Sequence, residues 1–192
     1  MKSIVWVFPV LFLLFNGAQH IQPTDEMTCL NSEEQKLYKL IMEYRKTNNL
    51  ESIPISAKLT KVAKTHARDL SENYDFKPNA KCNPHSWSKH GSWTSCCYTS
   101  DHKEASCMWN KPKEIAGYEG SGYEIAYYSS AGANAEEGLA GWKISPGHNP
   151  LLVNSGMWSK VKWKALGVAI YKEYGLVWFG EIEDSETVKP CP

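Results

Sequence analysis

WKALGVAIYKEYGLVWFGEIE, residues 163–183, decides the fold. Two runs rich in Val, Ile, Leu, Trp, Phe and Tyr flank a short polar turn, Lys172–Gly175. That pattern predicts an antiparallel β-hairpin. Working back along the chain, GYEIAYYSS (residues 122–130) predicts one more strand. Ala133–Trp142 predicts a helix with Ala135, Leu139 and Trp142 on one face, stopped by Pro146–Gly147. NPLLVN (149–154) adds one helical turn. Helices, a strand, a helix and a hairpin in that order predict an α+β domain, with helices packed on an antiparallel sheet.

The helices that open the domain are the clearest. Asn31 and Glu34 have the spacing of a capping box, and Leu37, Leu40, Ile41 and Tyr44 follow at helical spacing. Leu59, Val62, Ala63, His66, Ala67 and Leu70 form a second helical stripe. Residues 75–118 carry no sustained period and read as irregular. A loop this long is usually functional or covalently stapled. Trp87, Trp93 and Trp109 are expected to pack over it.

Four of the six cysteines, Cys82, Cys96, Cys97 and Cys107, fall in that segment; Cys29 and Cys191 flank the rest. Six cysteines allow fifteen pairings. Cys29 and Cys191 are placed to tie the domain ends, leaving the other four to staple the loop. No Cys-x-x-Cys pair is present, which argues against a zinc ribbon. Residues 1–18 read as a secretory signal peptide, with Lys2, an apolar run over 4–15 and cleavage after Ala18. The run is short for a membrane span, so none is expected after cleavage. The predicted organisation is a signal peptide (1–18), an N-terminal segment (19–31), a domain over 32–183 with a Cys-rich loop at 82–107, and a tail (184–192). Disulfides and a signal peptide together predict export: extracellular, or periplasmic in a bacterium. A formal net charge of zero over 192 residues argues against an electrostatic nucleic-acid binder.

Phosphate-binding glycine loops, a Gly-x-Ser-x-Gly elbow and His-Glu-x-x-His are all missing. Histidines and carboxylates remain. His66 reads as a core histidine with one hydrogen bond, and His90 and His102 as solvated. His85, in NPHSWS, and His148, in SPGHNPLL, stand in rigid loops at the ends of regular elements. Glu124 interrupts an apolar strand, so its carboxylate needs a cation or donor.

His85–Ser86, GYEIAY, GLAGWKISPGHNPLL and WKALGVAIY…LVWFGE, in that order, resemble the successive signatures of the CAP superfamily (cysteine-rich secretory proteins, antigen 5, pathogenesis-related 1). The SPGH form resembles the bacterial-type SCP members. AKTHARDL fits the second helix of that family. The resemblance implies a three-layer α-β-α sandwich with a small central antiparallel sheet. It also implies a cleft lined by His85, His148 and Glu124, able to bind a divalent metal such as zinc. A second cleft glutamate falls at or near Ser145 here, with Glu137 and Glu181 as candidates to replace it. The usual Gly-Glu-Asn reads Tyr123–Glu124–Ile125.

Two neutral imidazoles and one carboxylate suit zinc. They equally suit a metal-free network in which Glu124 accepts from an imidazole. Three functions follow from the resemblance. The first is a secreted, non-enzymatic module binding a lipid, sterol, peptide or protein. The second is a metal-dependent hydrolase with Glu124 as base and the two histidines on zinc. The third is an extracellular scaffold with a metal-free polar cluster.

Overall fold

The computed structural model describes residues 26–74, 77, 80–186 and 188–191. The signal-peptide reading of 1–18 lies outside them. The described elements are β1 (Cys29–Leu30), α1 (Ser32–Thr47), α2 (Ala57–Asn73), α3 (Ala105–Trp109), α4 (Lys111–Ala116), β2 (Gly122–Tyr128), α5 (Ala135–Ile144), α6 (Asn149–Leu152), a 3-10 turn (Gly156–Trp158), β3 (Ala165–Tyr171), β4 (Tyr174–Gly180) and β5 (Lys189–Pro190).

The expected hairpin is β3–β4, and β2 pairs with the far side of β4, giving the antiparallel order β2-β4-β3. Its turn is tighter than the sequence suggested. Lys172, at φ 49°, and Glu173 make it, while Tyr174 and Gly175 already belong to β4. Strand alternation sorts β3 into two faces. Leu166 and Val168 join Leu37, Ile41, Ile125, Leu139, Trp142, Val177 and Phe179 in one core. Ala165 and Ala169 join Leu59, Val62, Ala63, Leu70 and Trp178 in the other. Helices α1 and α5 cover the first face and α2 the second, so the molecule is an α-β-α sandwich. The small face of β3 has a purpose. A Cβ at Gly167 would sit 2.1 Å from the Leu59 backbone carbon, so only glycine lets α2 cross so near the sheet.

The N-terminus of α1 carries the expected capping box: Asn31 accepts from the Glu34 amide at 2.9 Å and Glu34 accepts from the Asn31 amide at 2.8 Å. Ser56 caps α2, and Asp184, from the segment read as a tail, accepts from both the Ser56 hydroxyl and the Lys58 amide. The chain ends are joined by parallel pairing of β1 with β5 and by the Cys29–Cys191 disulfide.

Residues 75–118 depart from the expectation in two places. Helices α3 and α4 lie inside that stretch, too short to show a period; Pro112 sits in the first turn of α4 and Gly117 closes it at φ 62°. Trp109 does not pack over the loop. It is 37% exposed and leans on Tyr123. The loop is stapled by Cys82–Cys97 and Cys96–Cys107, leaving no described cysteine free. It is also pinned to α2: the buried Asp69 accepts from the Ser88 amide at 2.8 Å and from the Ser88 hydroxyl.

Candidate functional site

Strand alternation that sends Ile125 to one core sends Glu124 to the other, beneath α2. There its side chain has no exposed surface. A buried carboxylate demands donors, and it has two. Glu124 Oε2 lies 2.5 Å from His66 Nδ1, and Oε1 lies 2.7 Å from His85 Nδ1. His66 is fully buried on α2. Its other nitrogen, Nε2, lies 2.9 Å from the Ser86 carbonyl oxygen, and its ring stacks on Trp87 with centroids 4.1 Å apart.

The carbonyl fixes one proton: it can only accept, so His66 Nε2 carries hydrogen. The Nδ1–Oε2 contact then holds a single proton between an imidazole and a carboxylate. Burial alone would raise the Glu124 carboxyl. The positive His66 outweighs burial, with help from the His85 hydrogen bond, and holds the carboxyl below its ordinary value. The buried pair therefore holds one proton in a short charge-assisted hydrogen bond, with the Glu124 carboxyl kept low. On the other side, His85 Nδ1–H donates to Glu124, which leaves Nε2 of that ring with its lone pair and only 18% of the side chain in solvent. The His85 loop is fixed by Asn83, which accepts from the His85 amide at 3.0 Å, by the Trp87–Cys96 bridge, and by Ser86 Oγ accepting from the Tyr98 amide.

His148 stands apart from this cluster. Half-buried at the start of α6, its ring makes no hydrogen bond among the described residues. Burial first, then the neighbouring His85, pushes it down to about 4, against an opposing pull from Glu124. At neutral pH it is an uncharged imidazole. It lines an open cleft of about 340 Å³ with Pro84, Tyr127, Tyr128, Trp142, Ser145 and Tyr174.

Of the expected site residues, Glu124 and His85 are in direct contact, and His148 is an electrostatic neighbour. The residue that sequence reasoning undervalued is His66, which makes two hydrogen bonds instead of one. Its signal was present: a polar residue on an otherwise apolar helical stripe, in a chain that also buries a carboxylate in an apolar strand. Glu137 and Glu181 do not supply a second cleft glutamate. Both are exposed, and they accept from the hydroxyls of Tyr127 and Tyr123 at 3.3 and 3.4 Å. His102, expected to be solvated, lies at the surface but meets the Tyr98 hydroxyl at 2.8 Å.

The profile of the Cysteine-rich secretory protein family, CAP, matches residues 38–177. The chain belongs to the CAP family. No curated protein matches the sequence. Among solved structures, an extracellular protein containing an SCP domain from Bacillus anthracis str. Ames aligns at TM-score 0.55 and 19% identity, over 78% of this chain and 40% of that one. A cysteine-rich secretory protein of Staphylococcus aureus aligns at TM-score 0.51 and 17% identity, over 78% and 38% of the two chains. An outer surface protein of Borrelia burgdorferi aligns at TM-score 0.52 and 22% identity, over 78% and 93%. The CAP chain thus spans about two fifths of the first two proteins. No helix among its described residues is long and apolar enough to cross a membrane.

The donor set limits which metal centre the CAP cleft can hold. Among the described residues no three His, Cys, Asp or Glu side chains are grouped to ligate an ion. Both oxygens of Glu124 are already engaged by imidazoles, so this residue is an orienting partner and not a metal ligand. A three-ligand hydrolytic centre does not fit. Two imidazole nitrogens, on His85 and His148, remain.

Proposed function

We propose that this CAP domain is an extracellular, non-enzymatic ligand-binding module whose cleft takes the apolar part of a lipid, sterol or peptide. One observation carries the reading: aromatic side chains wall the cleft, with the neutral His148 as a polar group among them. Such a mixture of apolar lining and a few polar groups is the usual make-up of a small-ligand site. The clamp on His85 keeps a second imidazole in a fixed direction nearby. The three disulfides suit an oxidising, extracellular setting. The hydrolase reading is disfavoured because Glu124, its general base, has no exposed surface and no free oxygen for a water.

A divalent ion such as zinc is a second occupant for this site. His85 Nε2 and His148 would hold it, with Glu124 behind His85, and it would supply a Lewis acid in the cleft.

The test is a titration of the purified protein with a sterol and with a long-chain fatty acid, read by Trp fluorescence and by shifts of cleft amides. The reading expects saturable shifts with one of them, abolished by Ser145→Trp, which fills the cleft. No saturable response to either probe, with the fold intact, would favour the scaffold instead.

A further inference from the structure

A second concavity, of about 780 Å³, shares no lining residue with the histidine cleft. At its wall stands Arg45, from the last turn of α1, buried to 4% exposure. Its Nε donates to the Glu51 carbonyl at 3.0 Å, and Nη1 donates to the Leu152 carbonyl and to Asn154 Oδ1, both at 2.7 Å. These acceptors are neutral. Among the described residues no carboxylate pairs with Arg45, and its Nη2 has no protein partner. A buried guanidinium without a counter-charge is costly. The planar fork is held in a fixed orientation by three bonds, with one face left over.

The other charges of the groove are mostly spent. Asp184 accepts from Ser56, Lys58 and Glu186. Glu183 pairs with Lys164 at 3.4 Å. Lys162 and the Glu51 side chain have no ion pair among the described residues. The lining holds three basic side chains (Arg45, Lys162, Lys164) and three acidic ones (Glu51, Glu183, Asp184) and is neutral overall, but of these six Arg45 alone is buried, and no carboxylate among the described residues pairs with it. Leu50, Pro54, Val161 and Trp163 supply apolar wall between them.

We infer that this groove is a second ligand site, taking an organic carboxylate whose charged end meets Arg45 Nη2 and Lys162 and whose aliphatic body lies on the apolar wall. The guanidinium explains the charge, and the apolar wall explains why the anion should be organic. This site stands independently of the histidine cleft.

The experiment titrates the full folded protein with hexanoate, acetate and inorganic phosphate, following the Arg45 Nε–H and Asn154 side-chain amide signals. The expected order is hexanoate tightest, with acetate and phosphate at least several-fold weaker. Lys162→Gln, an exposed substitution that leaves the fold untouched, should weaken hexanoate several-fold. Arg45→Lys should weaken it about tenfold or more, since lysine lacks the fork. Should Arg45→Lys fail to fold, Lys162→Gln and the order of the probes decide. Equal weak binding of all three anions, or a hexanoate affinity unchanged by Lys162→Gln, would overturn the inference.

Discussion

Replacing Glu124 separates the charge of the clamp from its hydrogen bonds. In Glu124→Ala, His66 Nδ1 and His85 Nδ1 both lose their acceptor, and one of those rings is wholly buried. Removing one partner of a buried ion pair costs about 3–5 kcal/mol, because the other charge is left uncompensated. Glu124→Gln differs. His66 keeps its Nε2 proton on the Ser86 carbonyl, so a neutral His66 presents a bare Nδ1. The glutamine amide donates to that nitrogen, and its carbonyl accepts from His85 Nδ1–H. Every polar atom is satisfied, and the loss reduces to charge-assisted against neutral bonding, about 1–2 kcal/mol. At about 2–4 °C per kcal/mol for a domain of this size, Glu124→Ala should melt roughly 6–20 °C below wild type. Glu124→Gln should fall only a few degrees. Thermal unfolding followed by circular dichroism at pH 7, with disulfides intact, measures both. Equal losses in the two variants, or a loss below about 1 kcal/mol for alanine, would refute the two-sided clamp.

Three further outcomes follow from the same geometry. His148 is held at about 4 in the folded state against an ordinary 6.5, so the unfolded chain binds its proton first. The stability this contributes is complete above pH 6.5 and is lost as pH falls towards 4, up to about 3 kcal/mol and less for the solvated part of the ring. His148→Gln should flatten that window in urea titrations at pH 7 and pH 4.5. Asp69→Ala removes the acceptor of the Ser88 amide and hydroxyl and should cost about 2 kcal/mol, with faster amide exchange at Ser88. Metal analysis after zinc loading should show well under one retained equivalent, because only the His85 and His148 imidazoles are left to bind it; a full equivalent that is lost in His148→Ala would contradict that donor count.

The sandwich was legible in the sequence because its elements are long or strongly periodic. Alternation in β3–β4, the Asn31–Glu34 box and the stripe on α2 each announce themselves locally. Helices α3 and α4 did not, because one turn or so carries no period and their place is set by disulfides and by packing on α2. The site was half legible for a similar reason. His85, Glu124 and His148 stand out in short signatures, and an apolar strand that buries a glutamate must supply it with a partner. Which partner is a question of tertiary register. His66 lies 58 residues from Glu124 in sequence, and its helical stripe reads the same whether the ring meets a carbonyl or a carboxylate. Glu137 and Glu181 failed as replacements because each sits where a tyrosine hydroxyl, and not an imidazole, is within reach.

The most direct test is a long-range proton–nitrogen NMR spectrum of the histidine rings at neutral pH. The account predicts protons on both nitrogens of His66, a proton on Nδ1 alone for His85, and a neutral ring for His148. A His85 ring protonated on Nε2 with Nδ1 bare would contradict it, because Glu124 would then not be holding that imidazole.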